Sequence, residues 1–159
     1  MRGLFGVLLL LLGACASTST TKLPLHAEND KEAIVHIIRG SVVPYLYGLE
    51  VSVDGEPAAI VANQSYSSFS VPAGQHRFFL QWPKGSLQRD TFEMTREFKG
   101  RETRYFLIAK DDLVRPGLVD PGTAAFLLTS QLSKLPLKLM ELEPEAGKAL
   151  LEKFPAPGM

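Results

Sequence analysis

The stretch His76-Arg77-Phe78-Phe79-Leu80-Gln81-Trp82 decides the fold. His76, Phe78, Leu80 and Trp82 fall on one phase of a two-residue period, and Arg77, Phe79 and Gln81 on the other. Successive strand side chains point to opposite faces, so this alternation reads as a β-strand with one face turned to a core. Pro83-Lys84-Gly85-Ser86 ends it. Upstream, Pro72-Ala73-Gly74 is a turn, proline presetting φ and glycine releasing it. Before that turn, Tyr66 to Val71 alternates again, with Phe69 and Val71 on one face. Leu49-Glu50-Val51-Ser52-Val53 is another strand with Leu49, Val51 and Val53 inward, closed by Asp54-Gly55, a hairpin signal. Ala58 to Ala62 is a weaker strand ended by Asn63-Gln64-Ser65.

Further out the same grammar holds. Ala33 to Arg39 is β-branched on both phases and reads as a strand buried on both faces. Gly40 to Gly48 reads as a loop carrying Pro44. Downstream, Thr91 to Phe98 has Phe92, Met94 and Phe98 as its apolar marks. Lys99-Gly100-Arg101 turns into Thr103 to Ala109, where Tyr105, Leu107 and Ala109 alternate with Arg104, Phe106 and Ile108. Seven short strands with turns about every 8–12 residues predict a mostly β protein, two antiparallel sheets packed as a sandwich. Its expected core is Leu49, Val51, Val53, Phe69, Val71, Phe78, Leu80, Phe92, Leu107 and Ala109. Asp111 to Gly122 is a loop. Ala124 to Leu132 reads equally as strand or helix, and Leu137 to Leu142 as a last strand. Pro144 then opens a short C-terminal helix whose apolar face is Ala146, Ala149, Leu150 and Phe154. Gly147 weakens that helix by about 1 kcal/mol relative to alanine.

The N-terminus predicts the compartment. Met1-Arg2 is positive, Leu4 to Leu12 is apolar, and Gly13-Ala14-Cys15 follows at once. This is the layout of a secretory signal peptide, too short to span a bilayer. Leu12-Gly13-Ala14-Cys15 resembles the lipobox of bacterial lipoproteins. The resemblance implies removal of residues 1–14 and acylation of Cys15, the single cysteine, by fatty chains such as palmitate. Ala16, where some lineages place an inner-membrane retention Asp, points to the outer membrane facing the periplasm. Residues 15–31, with Ser17-Thr18-Ser19-Thr20-Thr21, Pro24 and Asn29-Asp30, read as the lipidated cysteine and a flexible tether. Residues 32–154 read as the folded domain and 155–159 as a tail.

Val51-Ser52-Val53-Asp54-Gly55, then Val71-Pro72-Ala73-Gly74-Gln75-His76, then Gly100 with Tyr105-Phe106, resembles the core of the DUF2846 family of bacterial lipoproteins. That family is related to PEGA-type, transthyretin-like β-domains. The likeness covers residues 33–153. It implies the same sandwich with a C-terminal helix and carries over no assigned enzymatic activity; its marked residues are turn residues. Glu56-Pro57 departs from the family's small, glycine-rich continuation of the first turn.

Composition narrows the chemistry. Without Arg2, one of 17 basic residues, 16 face 17 acidic ones, and that balance steers no nucleic acid. With Cys15 acylated no thiol remains. His26, His36 and His76 lack the tight ligand spacing of a zinc site, so no metal or cofactor is expected. Asp111-Asp112 with Asp120 lacks the D-x-[DN]-x-[DN]-G order of a calcium loop. No G-x-S-x-G or S-x-x-K motif occurs, and no catalytic residue is assigned. The mixed charges from Arg89 to Arg104 read as the solvated face of two strands. Phe79 and Phe106 fall off the main inward phase, so they are either buried under the C-terminal helix or the exposed patch on which a partner docks. The expectation is a non-enzymatic envelope lipoprotein, held to the membrane by its lipid, whose sandwich binds an envelope protein or cell-wall component. The alternatives are a peptidoglycan- or glycan-binding module and a cell-wall hydrolase.

Overall fold

A computed structural model describes residues 27–42, 44–110, 118–129 and 135–154. The predicted Cys15, most of the tether, His26, Asp111-Asp112 and the tail lie outside the described residues. Among these residues eight strands and two helices follow in order: β1 (Glu32–Arg39), β2 (Leu49–Val53), β3 (Glu56–Val61), β4 (Ser65–Pro72), β5 (Gly74–Gln81), β6 (Thr91–Phe98), β7 (Thr103–Lys110), α1 (Pro121–Thr129), β8 (Leu137–Leu142) and α2 (Pro144–Lys153). One sheet runs β4-β1-β7-β8 and the other β3-β2-β5-β6. The predicted sandwich with a short C-terminal helix is the observed architecture.

Among the named strands, the β1–β7 pairing departs from an all-antiparallel design. β1 pairs antiparallel with β4 but parallel with β7, Ile34 standing opposite Thr103 and Arg39 opposite Ile108. The whole second sheet lies between β1 and β7 in sequence, so no hairpin fixes their mutual direction.

The core has two layers. Between the sheets, Ala33, Val35 and Ile37 of β1 meet Leu49, Val51, Phe69, Val71, Phe78, Leu80, Phe98, Phe106 and Ile108. On the far side of the first sheet, Ile38, Tyr66, Tyr105, Leu107, Ala109, Met140 and Leu142 are covered by Val119, Ala124 and Leu127, and by Ala146 and Leu150 of α2. A sheet covered on both faces needs apolar side chains on both phases, which is why β1 and β7 lack alternation. Four of the expected core residues are corrected. Leu107 and Ala109 are buried under the helices, not between the sheets, and their place is taken by Phe106 and Ile108. Val53 and Phe92 are only half-buried, at the rim.

The segment left open as strand or helix becomes helix over Pro121–Thr129. Asp120 caps it: Oδ1 accepts from the Gly122 and Thr123 amides at 2.8 and 3.1 Å, and Oδ2 from the Thr123 hydroxyl at 2.6 Å. These bonds, led by the Thr123 hydroxyl, hold the Asp120 carboxyl below the usual aspartate range. Asp120 is thus a helix cap with proline at the first helical position, the arrangement both residues favour. In α2, Ala146, Gly147 and Leu150 are buried and Ala149 is exposed. Gly147 has a packing reason: a Cβ there would stand 2.1 Å from Cγ of Tyr105.

The end of the expected tether belongs to the folded domain. The Arg101 amide donates to the carbonyls of Asn29 and Glu32, the Ala73 amide to that of Lys31, and Arg101 pairs with Asp30. The chain therefore enters beside the turns at 72–74 and 99–102. The opposite end of the sandwich carries the Arg39 end of β1, the loop 40–48 and the loop 82–90.

Candidate functional site at the loop end of the sandwich

Arg39 continues the phase of Ala33, Val35 and Ile37, so its side chain is directed into the space between the sheets where that space ends. It is fully buried. The guanidinium lies 5.0 Å from the centroid of the Trp82 ring. Nη1 donates to the carbonyls of Tyr47 at 2.6 Å and Val61 at 3.0 Å. Nη2 donates to those of Val42 at 2.8 Å and Pro44 at 2.6 Å. Four carbonyls from one loop and a neighbouring strand end thus converge on one cation. Desolvation lowers the Arg39 pKa from the ordinary arginine range to about 10. The five-donor fork of arginine suits this divergent set, which a lysine could not span.

The second loop is fixed to the same ring. The Trp82 indole N–H donates to Asp90 Oδ1 at 3.1 Å. Lys110, also buried, has its ammonium 3.0 Å from Asp90 Oδ2, 3.3 Å from Gln88 Oε1 and 5.8 Å from the Trp82 centroid. The Tyr47 hydroxyl donates to the Gly85 carbonyl at 3.5 Å, so the loops touch. On this foundation stand four exposed apolar side chains: Tyr45 at 44 %, Leu46 at 95 %, Tyr47 at 38 % and Leu87 at 96 %.

The residues singled out from sequence fall elsewhere. Phe106 is fully buried, packed with Phe78 and Phe98 at ring separations of 6.2 and 6.5 Å. It cannot meet a partner, because the phase assigned to β7 was inverted. Phe79 is half-buried on the outer face of the second sheet, opposite Ser52 of β2 and Glu93 of β6. The helices cover the other sheet, so Phe79, Phe106 and α2 form no common surface. His36 and His76 do not face each other. His36 is buried on the helix side of the first sheet, sharing a 2.6 Å hydrogen bond with Ser68 Oγ and stacked 5.0 Å from Tyr105. His76 bridges two turns, with Nδ1 2.6 Å from Asp54 Oδ2 and Nε2 2.9 Å from the Pro72 carbonyl. Among the described residues no three His, Cys, Asp or Glu side chains gather as a metal-binding group. The charges from Arg89 to Arg104 are largely taken up in pairs, among them Arg77 with Glu93 and Arg104 with Glu102 and Glu141.

Sequence reasoning passed over the 40–48 loop as a connector. The available signal was Tyr45-Leu46-Tyr47, three large apolar residues between Pro44 and Gly48 where a connector is ordinarily polar. A lone arginine ending an otherwise apolar two-phase strand was the second signal.

No protein-family model matches the chain, and no curated protein matches it.

Proposed function

We propose that this chain is a bacterial envelope lipoprotein. In this reading it is held to the outer membrane by acyl chains on Cys15 and acts by binding rather than by catalysis. The observation that carries the binding role is the group Tyr45, Leu46, Tyr47 and Leu87, exposed together on two loops that Arg39 and Trp82 hold in place. Scattered exposed apolar residues need no explanation, but four on two loops that touch and share a fixed support favour an interaction site. The lipobox-like Leu12-Gly13-Ala14-Cys15 and the resemblance to DUF2846 lipoproteins support the compartment. A lipid anchor would keep these loops at high local concentration near other envelope components.

A second reading has its own observation. Tyr45 and Tyr47 are exposed two residues apart, and paired tyrosines are a stacking surface for a glycan such as peptidoglycan.

Photo-crosslinking groups placed at positions 46 and 87 in living cells test the binding role. Crosslinks to an envelope component should form there and not from exposed Glu97 on β6. Equal yields from all three positions would refute the assignment of the site. For the glycan reading, Tyr45→Ala and Tyr47→Ala should abolish sedimentation with purified cell wall.

A further inference from the structure

We propose that the loops bearing Leu46 and Leu87 insert shallowly into an anionic phospholipid surface. This rests on the reading of these loops as the binding surface and names what they bind.

Three features of the site point to lipid. The first is the order of side chains. Leu46 and Leu87 project almost wholly into solvent, while Tyr45 and Tyr47 are less than half exposed, a division that suits apolar tips in the acyl layer and amphipathic rings at the headgroup level of a bilayer. The second is charge. Loops 40–48 and 82–90 contain exposed Lys84 and Arg89 and one carboxylate, Asp90. Asp90 is engaged by Trp82 and Lys110, so within the described residues of these two loops the two cations are the charges available to phosphate groups.

The third is the state of the backbone. A loop entering a dehydrated layer must satisfy its own polar groups, because lipid offers no replacement for water. Arg39 already binds the carbonyls of Val42, Pro44 and Tyr47 from within. These three carbonyls need no replacement for water, and the contacts that order this part of the loop are made before binding.

The size of the patch argues against a second copy as occupant. Four side chains are far short of the roughly 20–30 residues a side of a stable protein interface. Reach is also adequate. The chain enters at the opposite end, but Cys15 to Ala27 can extend about 40 Å, more than the roughly 26 Å of an eight-residue strand.

The test uses the mature chain, residues 15–159, with Cys15→Ser so that it bears no lipid. Flotation is measured with vesicles of phosphatidylglycerol and phosphatidylethanolamine, and with vesicles of phosphatidylcholine alone. The protein should float with the anionic vesicles. The double variant Leu46→Ser/Leu87→Ser should lose at least about tenfold in partition with its thermal unfolding unchanged, since both side chains are solvent-exposed. Lys84→Gln/Arg89→Gln should erase the preference for anionic vesicles. The proposal is overturned if the wild-type sequence stays with the soluble fraction, or if the leucine variant floats as well as wild type. It is also overturned if the protein is a dimer that Leu46→Ser dissociates. Lipidation plays no part in the assay, so failure here leaves the Cys15 reading to be judged by its own experiment.

Discussion

Replacing Arg39 by methionine, which keeps the length and removes the donors, measures how firmly the loop end is built. The buried carbonyls of Val42 and Val61 lose their partner, and each stranded acceptor costs about 1–3 kcal/mol. Loss of the guanidinium over Trp82 adds about 1–2 kcal/mol. Methionine also escapes the desolvation that lowers the Arg39 pKa to about 10, worth about 3 kcal/mol. The Pro44 and Tyr47 carbonyls are only partly buried and turn to water. The expected net loss is about 2–3 kcal/mol, or about 10 °C in Tm. Urea unfolding gives the first number, and amide exchange should quicken across 40–48 while the Phe78 region stays protected. Arg39→Lys should fall between, one ammonium being unable to fork to four carbonyls. A methionine variant as stable as wild type, with unchanged exchange in the loop, would refute the view that this cation organises the site.

Three further outcomes follow from the packing. Phe106→Ala should cost about 3–5 kcal/mol, as for a fully buried ring, whereas Phe79→Ala on the open sheet face should cost under about 1 kcal/mol; equal losses would mean β7 is wrongly phased. Gly147→Ala should destabilise by about 1–3 kcal/mol despite its better helix propensity, because the new Cβ meets the Tyr105 ring; stabilisation would show that α2 docks elsewhere. The Asp54 carboxyl is held below the ordinary aspartate range, first by the Arg77 amide and then by the His76 side chain. A depressed folded pKa gives stability that is present above the unfolded value, near about 4, and is lost as pH falls through the folded one. Acid unfolding curves should therefore be shallower below pH of about 4 in Asp54→Asn than in wild type.

How much could be read beforehand depended on whether a strand had one covered face or two. β2 and β5 belong to the sheet with an open outer face, and their alternation gave the correct inward residues, Leu49, Val51, Phe78 and Leu80. The Asp54-Gly55 turn was equally legible, and both residues take positive φ, 52° and 89°. Tyr105 to Ala109 is apolar on both phases, so nothing in it says which set faces the other sheet. That choice depends on helices packed from distant sequence, and it sent Phe106 to the wrong surface. α1 is apolar all round, which removes the period that separates helix from strand. The loop end was missed for a different reason. Its organiser is one side chain hydrogen-bonded to carbonyls up to 22 positions away, a relation that leaves no local pattern.

The proposed lipid anchor on Cys15 is open to intact-mass spectrometry of the protein purified from its own membranes. The mature chain should begin at Cys15, with residues 1–14 gone and the added mass of acyl chains on that residue, and should partition into the detergent phase unless Cys15 is replaced by serine. A mature chain that retains Met1, or that begins elsewhere with an unmodified Cys15, would contradict it.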